Sequence, residues 1–183
     1  RLPLSAIRRS FAGRGDAKER EIRMIFDTHA HYDDEAFDED REELLASLKE
    51  NGIGAVTNIG ASLESCRTTL KLAEAYPWMY GALGIHPSES GELTEKDMDW
   101  LQGFLGNEKI RAVGEIGLDY YWEEPEHEVQ KKWFVRQLDL ARQAGLPVII
   151  HSRDAAKDTL DIMKAEKAGD MGGVIHCFSY GKE

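Results

Sequence analysis

Met24-Ile25-Phe26-Asp27-Thr28-His29-Ala30-His31 is the stretch on which the fold turns. An apolar run leads into two histidines spaced i and i+2. On a strand, residues two apart project to the same face. Both imidazoles can therefore reach one ion, and imidazole suits zinc, iron, copper or nickel. A solvated loop that happens to hold two histidines is the plainer alternative, and the pair alone separates the two only slightly. The rest of the chain separates them further. The same layout, a short apolar strand followed by a ligand-type residue, recurs at Gly114-Glu115, at Ile149-Ile150-His151-Ser152 and at Val174-Ile175-His176-Cys177. Strand ends that repeatedly carry His or Glu point to one shared polar site.

Around these blocks runs a regular alternation. Segments 24–27, 54–59, 79–84, 110–114, 147–151 and 173–177 are rich in Val, Ile and Ala and short enough to be buried parallel strands. Helical patterns lie between them, over Glu39–Asn51, Leu63–Tyr76, Glu95–Leu105, Glu126–Gln143 and Ala155–Lys167. Asn51-Gly52 reads as a helix stop, and Ala144-Gly145-Leu146-Pro147 ends one helix and starts the next strand. Strands alternating with helices mean a parallel sheet built from βαβ units.

An open doubly wound sheet would bind at a switch point, usually through a glycine-rich phosphate loop. No GxGxxG or Walker-type loop is present. The candidate ligands come instead from many strands, always at the C-terminal end, as in a (β/α)8 barrel of the TIM type. About six of the eight strand-helix units can be counted before Glu183. A barrel of this kind takes roughly 250 residues, so the expectation is an incomplete barrel domain over 24–183 that lacks its last two strands. Residues 1–23 are basic and weakly patterned, and they read as a flexible extension with Met24 as a natural start. The alternative there is a packed first helix using Leu2, Leu4, Ile7 and Phe11.

The formal net charge is -11, which argues against a broad electrostatic grip on nucleic acid. It leaves a nuclease open, because bound divalent cations place positive charge where phosphate must sit. No run of about eighteen apolar residues exists, so the expectation is no membrane span. Cys66 and Cys177 lie far apart with no CxxC spacing, which suits a reducing, cytoplasmic setting.

Five blocks together resemble the TatD family of metal-dependent deoxyribonucleases. They are Asp27-Thr28-His29-Ala30-His31, Gly84-Ile85-His86-Pro87, Gly114-Glu115-Ile116-Gly117-Leu118-Asp119-Tyr120, His151-Ser152-Arg153-Asp154-Ala155 and His176-Cys177-Phe178-Ser179. The likeness covers residues 24–183 and includes order and rough spacing. The resemblance implies a TIM-type barrel, two divalent cations and hydrolysis of phosphodiester bonds in DNA, often as an exonuclease. It also implies that His29, His31 and Glu115 hold one cation, and that Glu115, His151 and His176 hold the second, with Glu115 bridging. The family carries a further aspartate in a Glu-Thr-Asp block at its last barrel strand, beyond Glu183. Where the family usually has glycine after the serine of the His176 block, Tyr180 stands here.

A phosphodiester is anionic and repels hydroxide; two cations bind its oxygens, lower the pKa of a water and stabilise the leaving oxygen. Mixed His and carboxylate ligands suit zinc or manganese, whereas magnesium prefers oxygen ligands, so Mg, Mn and Zn all remain candidates. Beyond the ligands, Glu115, His86 and Arg153 are the candidate catalytic residues. His86 ends a strand and reads as a phosphate contact or proton donor, or as a turn cap. Arg153 could fork onto a phosphate or pair with Asp154 or Asp119. Asp119 reads as support for a ligand. Tyr120, Tyr121 and Trp122 could stack on a base or pack within their loop. His127 reads as solvated, Cys177 as core, and the acidic run from Asp33 to Asp40 as a helix N-terminus. Two other functions fit the same pattern: an amidohydrolase or phosphotriesterase-type barrel acting on a small molecule, which a carboxylated lysine on the fourth strand would mark, and an inactive fragment of a barrel.

Overall fold

The structure is a computed structural model that describes residues 24–181. The extension expected over 1–23 lies outside the described residues. The strands are β1 (Ile25–Ala30), β2 (Ile53–Ile59), β3 (Met79–Leu83), β4 (Ile110–Asp119), β5 (Val148–Arg153) and β6 (Gly173–Ile175). The helices between them are α1 (Arg41–Ser47), α2 (Leu63–Ala75), α3 (Glu95–Phe104), α4 (His127–Ala144) and α5 (Ala156–Ala165). Short 3-10 turns follow β1, β3 and α5.

All neighbouring strands are parallel and they pair in chain order, β1-β2-β3-β4-β5-β6. The helices cover one face. Leu83, Val113, Ile116, Val148 and Ile150 pack there against Leu101, Trp133, Phe134 and Leu138 in one buried cluster. The other face is concave. Ile59, Ala82, Ala112 and Ile149 come from four consecutive strands and meet each other in a separate buried cluster. The curl carries the two ends of the sheet towards one another, so that the rings of His29 on β1 and His176 after β6 stack with centroids 3.6 Å apart. This is the TIM-type (β/α) barrel through six of its units.

Local chemistry explains the element ends. Ser62 caps α2 by accepting from the Ser65 N–H, and Thr94 with Asp97 forms a capping box at α3. Gly145 ends α4 in the left-handed conformation at φ 67°, where a side chain would be strained. No helix among the described residues is long and apolar enough to cross a membrane.

Several expectations are corrected. The helix expected over 39–51 is regular only from Arg41 to Ser47. The acidic run before it serves more than one helix start: Asp40 stands at the N-cap of α1 without a side-chain cap bond, Asp34 caps a 3-10 turn at Glu35–Phe37, and Asp33 turns to a hydrogen-bond network with Asn58 and Ser65. The fourth strand does not stop at Gly114 but continues to Asp119. Cys177 is exposed rather than core. β6 ends at Ile175 and Cys177 has φ 47°, so strand alternation does not extend to it.

Candidate metal centre

Glu115 is the hub of the concave end of the sheet. It is 4% exposed, and both of its oxygens are occupied. Oε2 lies 3.3 Å from His29 Nε2 and 3.8 Å from His31 Nε2. Oε1 lies 3.0 Å from His151 Nδ1. The donor atoms of His29, Glu115 and His176 fall within 4.8 Å of one another, and so do those of His86, Asp119 and His151. The structure thus gathers His29, His31, Glu115, His151 and His176 in one place, with His176 on the His29 side of the carboxylate. The backbone makes this possible. The β4–β5 register breaks between Val113 and Ile116, and Gly117 at φ 144° approaches the His151 carbonyl so closely that a Cβ would overlap its oxygen.

The donor set fits a divalent cation. His31 Nδ1–H donates to the Ile59 carbonyl at 2.9 Å, which leaves the Nε2 lone pair facing the site. That lone pair lies 3.2 Å from His29 Nε2. Two ring nitrogens at this distance repel unless a proton or a cation lies between them. Burial raises the pKa of the Glu115 carboxyl, but the hydrogen bonds and charge of His151 and His29 outweigh it and hold the group well below the usual carboxylate range. A carboxylate ringed by imidazoles is the ligand chemistry of zinc and manganese sites.

The second group has its own logic. His151 Nε2 lies 3.0 Å from Asp119 Oδ2. Burial lowers the His151 pKa, but its bonds to Glu115 and Asp119 leave it raised. The His86 ring sits edge-on to His151 with centroids 4.2 Å apart. Burial, then the charge of His151, depresses the His86 pKa to about 4, so it is neutral at neutral pH. His86 lies beside His151, and its Nδ1 accepts from the Ser88 N–H to cap the 3-10 turn at Pro87–Glu89, as the turn-cap reading expects. His176 is lowered by burial and by the charge of His29.

Two buried glutamines that sequence reading passed over hold this end of the sheet. Gln137 on α4 accepts from the Ile85 N–H and donates to the Ile85 carbonyl, beside His86. Gln130, two turns earlier on the same helix, does the same to Asp119. Polar residues at i and i+7 on an otherwise apolar helix face are the signal that could have revealed them.

Arg153 pairs with neither Asp154 nor Asp119; its guanidinium lies 3.7 Å above the Tyr121 ring. Tyr120 packs within the loop, stacked on His127 at 3.6 Å and donating to Asp158, so His127 is not merely solvated. Tyr121 and Trp122 are 53% and 57% exposed. Tyr180 is no idle loop residue: its hydroxyl accepts from the Ala155 N–H and lies 3.1 Å from Ser152 Oγ.

The profile of the family described as TatD related DNase matches residues 26–183. The chain is 38% identical over 156 residues to a Bacillus subtilis protein described as the uncharacterized metal-dependent hydrolase YabD, covering 85% of this chain and 61% of that protein. It is 29% identical over 155 residues to the 3'-5' ssDNA/RNA exonuclease TatD of Cronobacter sakazakii, covering 85% of this chain and 59% of that one. The crystal structure of the Escherichia coli TatD homolog YjjV superposes with a TM-score of 0.80 at 34% identity, over 87% of this chain and 62% of its own. The chain therefore spans about three fifths of the length of the relatives it matches.

Proposed function

The chain belongs to the family of TatD-related DNases, and from that premise we propose that it carries the metal centre of a hydrolase that cleaves phosphodiester bonds in DNA, removing nucleotides from a strand end. The observation that carries this reading is Glu115: a buried carboxylate whose two oxygens face histidines from opposite sides. His29, His31 and Glu115, with His176 stacked beside His29, would hold one divalent cation, and Glu115 with His151 the second. Bound there, such cations supply charge to the phosphate oxygens and lower the pKa of a water.

The remaining steps fall to the chain's own residues. Glu115 keeps the two ligand groups at one spacing. Asp119 accepts from His151 Nε2–H and so holds the ring with Nδ1 against Glu115 Oε1, where a cation would take the place of the Nδ1 proton. His86 has Nδ1 occupied by the Ser88 N–H, which leaves Nε2 to carry the proton. A neutral Nε2–H can hydrogen-bond to a phosphate oxygen or to the departing oxygen and so stabilise charge there. The Arg153 guanidinium has no carboxylate partner among the described residues, and can fork onto the next phosphate. Exposed Tyr121 and Trp122 offer faces on which an unpaired base can stack. The name of the Cronobacter relative, which includes single-stranded DNA and RNA, supports an unpaired strand over a duplex.

The test is a labelled single-stranded oligonucleotide incubated with the metal-free chain, then with manganese added, then with chelator. Expected are shortening of the strand from one end only when manganese is present, and about one or two equivalents of metal retained on dialysis. A chain that retains metal but leaves the strand intact would overturn the substrate assignment. A chain that retains no metal would overturn the centre itself.

A further inference from the structure

Asn58 is completely buried on β2, on the side that faces α2, where an apolar residue would serve packing better. Its side chain is fully used. Oδ1 accepts from the Tyr32 N–H at 2.6 Å. Nδ2 donates to Asp33 Oδ1 at 2.7 Å and to Thr69 Oγ1 on α2 at 2.8 Å. The other oxygen of Asp33 accepts from Ser65 Oγ at 2.5 Å, and Ser65 Oγ in turn accepts from the Ala61 N–H at 2.9 Å. The next residue along β2 is Ile59, whose carbonyl takes the His31 Nδ1–H. One dipeptide of β2 thus holds His31 twice: the Ile59 carbonyl orients its ring, and the Asn58 amide grips the backbone directly after it.

We propose that Asn58 and Asp33 form a positioning pair that sets the ring of His31, and through it the affinity of the cation held with His29 and Glu115. The inference rests on the metal-centre reading above. The physical reason is the placement of His31 beyond the last residue of β1, Ala30, where no strand ladder holds the backbone. Without the Asn58–Asp33 bond the loop keeps the Ile59 carbonyl on the His31 ring and the Arg41 donations to the Tyr32, Asp33 and Asp34 carbonyls, but loses the side-chain pair that fixes where Nε2 meets Glu115. A buried polar pair of this kind does little for packing that an apolar pair would not do as well. Its complete hydrogen bonding is what gives it a unique geometry. Loss of an outer-shell partner of a metal ligand typically lowers metal affinity about 10–100-fold.

The pair allows a rescue experiment. Asn58→Asp places two carboxylates against each other and removes both Nδ2 donations. Asp33→Asn combined with Asn58→Asp restores a complementary pair. Residue 58 again accepts from the Tyr32 N–H, Thr69 Oγ1 can donate to it, and the amide of residue 33 supplies the missing donor. Manganese and zinc titrations by calorimetry on the full chain, with thermal melts of the metal-free forms, supply the readouts. Expected is a loss of about 10–100-fold in affinity for the single Asn58→Asp change, with recovery to within about threefold of wild type in the double variant. If the wild type binds metal and the single variant binds it as tightly, the positioning role is overturned. If affinity falls and the double variant folds like wild type without regaining it, the pairing is overturned. If the wild type itself binds no metal, the failure belongs to the metal-centre reading.

Discussion

The inner strands β2 to β5 and the outer strands β1 and β6 have similar compositions and opposite fates. Val56, Ile59, Ile116 and Ile150 on the inner strands are at most 1% exposed, while Ile25, Phe26 and Val174 on the outer ones are more than half exposed. The difference lies in neighbours, since β1 and β6 each pair on one side only among the described residues. The candidate metal centre straddles this divide. Glu115 and His151 sit on strands packed on both sides. His29, His31 and His176 come from the outer strands or just beyond them. The comparison teaches that an apolar strand is only an offer of burial, and that the centre has a well-held half and a half that depends on local anchors.

The comparison breaks most severely if the hub is dispensable. On the proposed reading, Glu115→Ala should remove both cations together and reduce strand shortening more than about a hundredfold, beyond what loss of an outer-shell partner costs. His127→Ala, at the exposed start of α4, should leave activity within about twofold. Equal activity of the two variants in the same manganese-dependent assay would undo the site assignment.

Stability should follow the same divide. Ile116, 0% exposed, should cost about 2–5 kcal/mol when cut to alanine. Val174, 57% exposed, should change stability by less than about 0.5 kcal/mol when treated likewise. Urea melts of the two variants are the measurement, and a Val174→Ala cost equal to that of Ile116→Ala would show that the outer strand is covered in solution.

A smaller effect comes from pH. His86 carries a folded pKa near 4 against an ordinary 6.5, so the unfolded chain takes up a proton that the folded chain refuses. Its contribution is complete above pH 6.5 and is lost as pH falls through 4, up to about 3 kcal/mol in all. Protonation of Nδ1 would also remove the cap on the Ser88 N–H. In metal-free protein, His86→Gln should flatten the loss of melting temperature between pH 6.5 and 4. His151, whose pKa is raised, acts with the opposite sign, its contribution fading as pH rises. An unchanged pH profile in the variant would place the titration elsewhere.

The mildest probe leaves the fold untouched. Cys66 on α2 is buried, donates to the Gly84 carbonyl, and has its thiol pushed up by burial to about 12, whereas Cys177 is exposed. Iodoacetamide should therefore label one thiol per native chain, at Cys177, and the second only in denaturant. Rapid labelling of both in the native state would mean that the inner strands open as easily as the outer ones.

Much of this was legible in the sequence because it depends on local pattern. The alternation of apolar runs with helical stretches established a parallel β/α succession, and residues two apart on a strand placed His29 and His31 on one face. The blocks at Glu115, His151 and His176 pointed to strand ends for the same reason. What pattern could not supply was the direction of side chains where the pattern breaks. Along β4, Ala112 lies in the inner cluster and Val113 in the outer one, so strict alternation would point Glu115 at the helices. The register break between Val113 and Ile116 turns it to the centre instead, because an irregularity in the ladder shifts every later side chain by one face. The same limit hid Asn58, Gln130 and Gln137, polar residues whose worth lies in partners 11 to 52 positions away. Composition and period are properties of neighbours in the chain. Which oxygen meets which nitrogen across the curled sheet is decided only once distant strands are side by side.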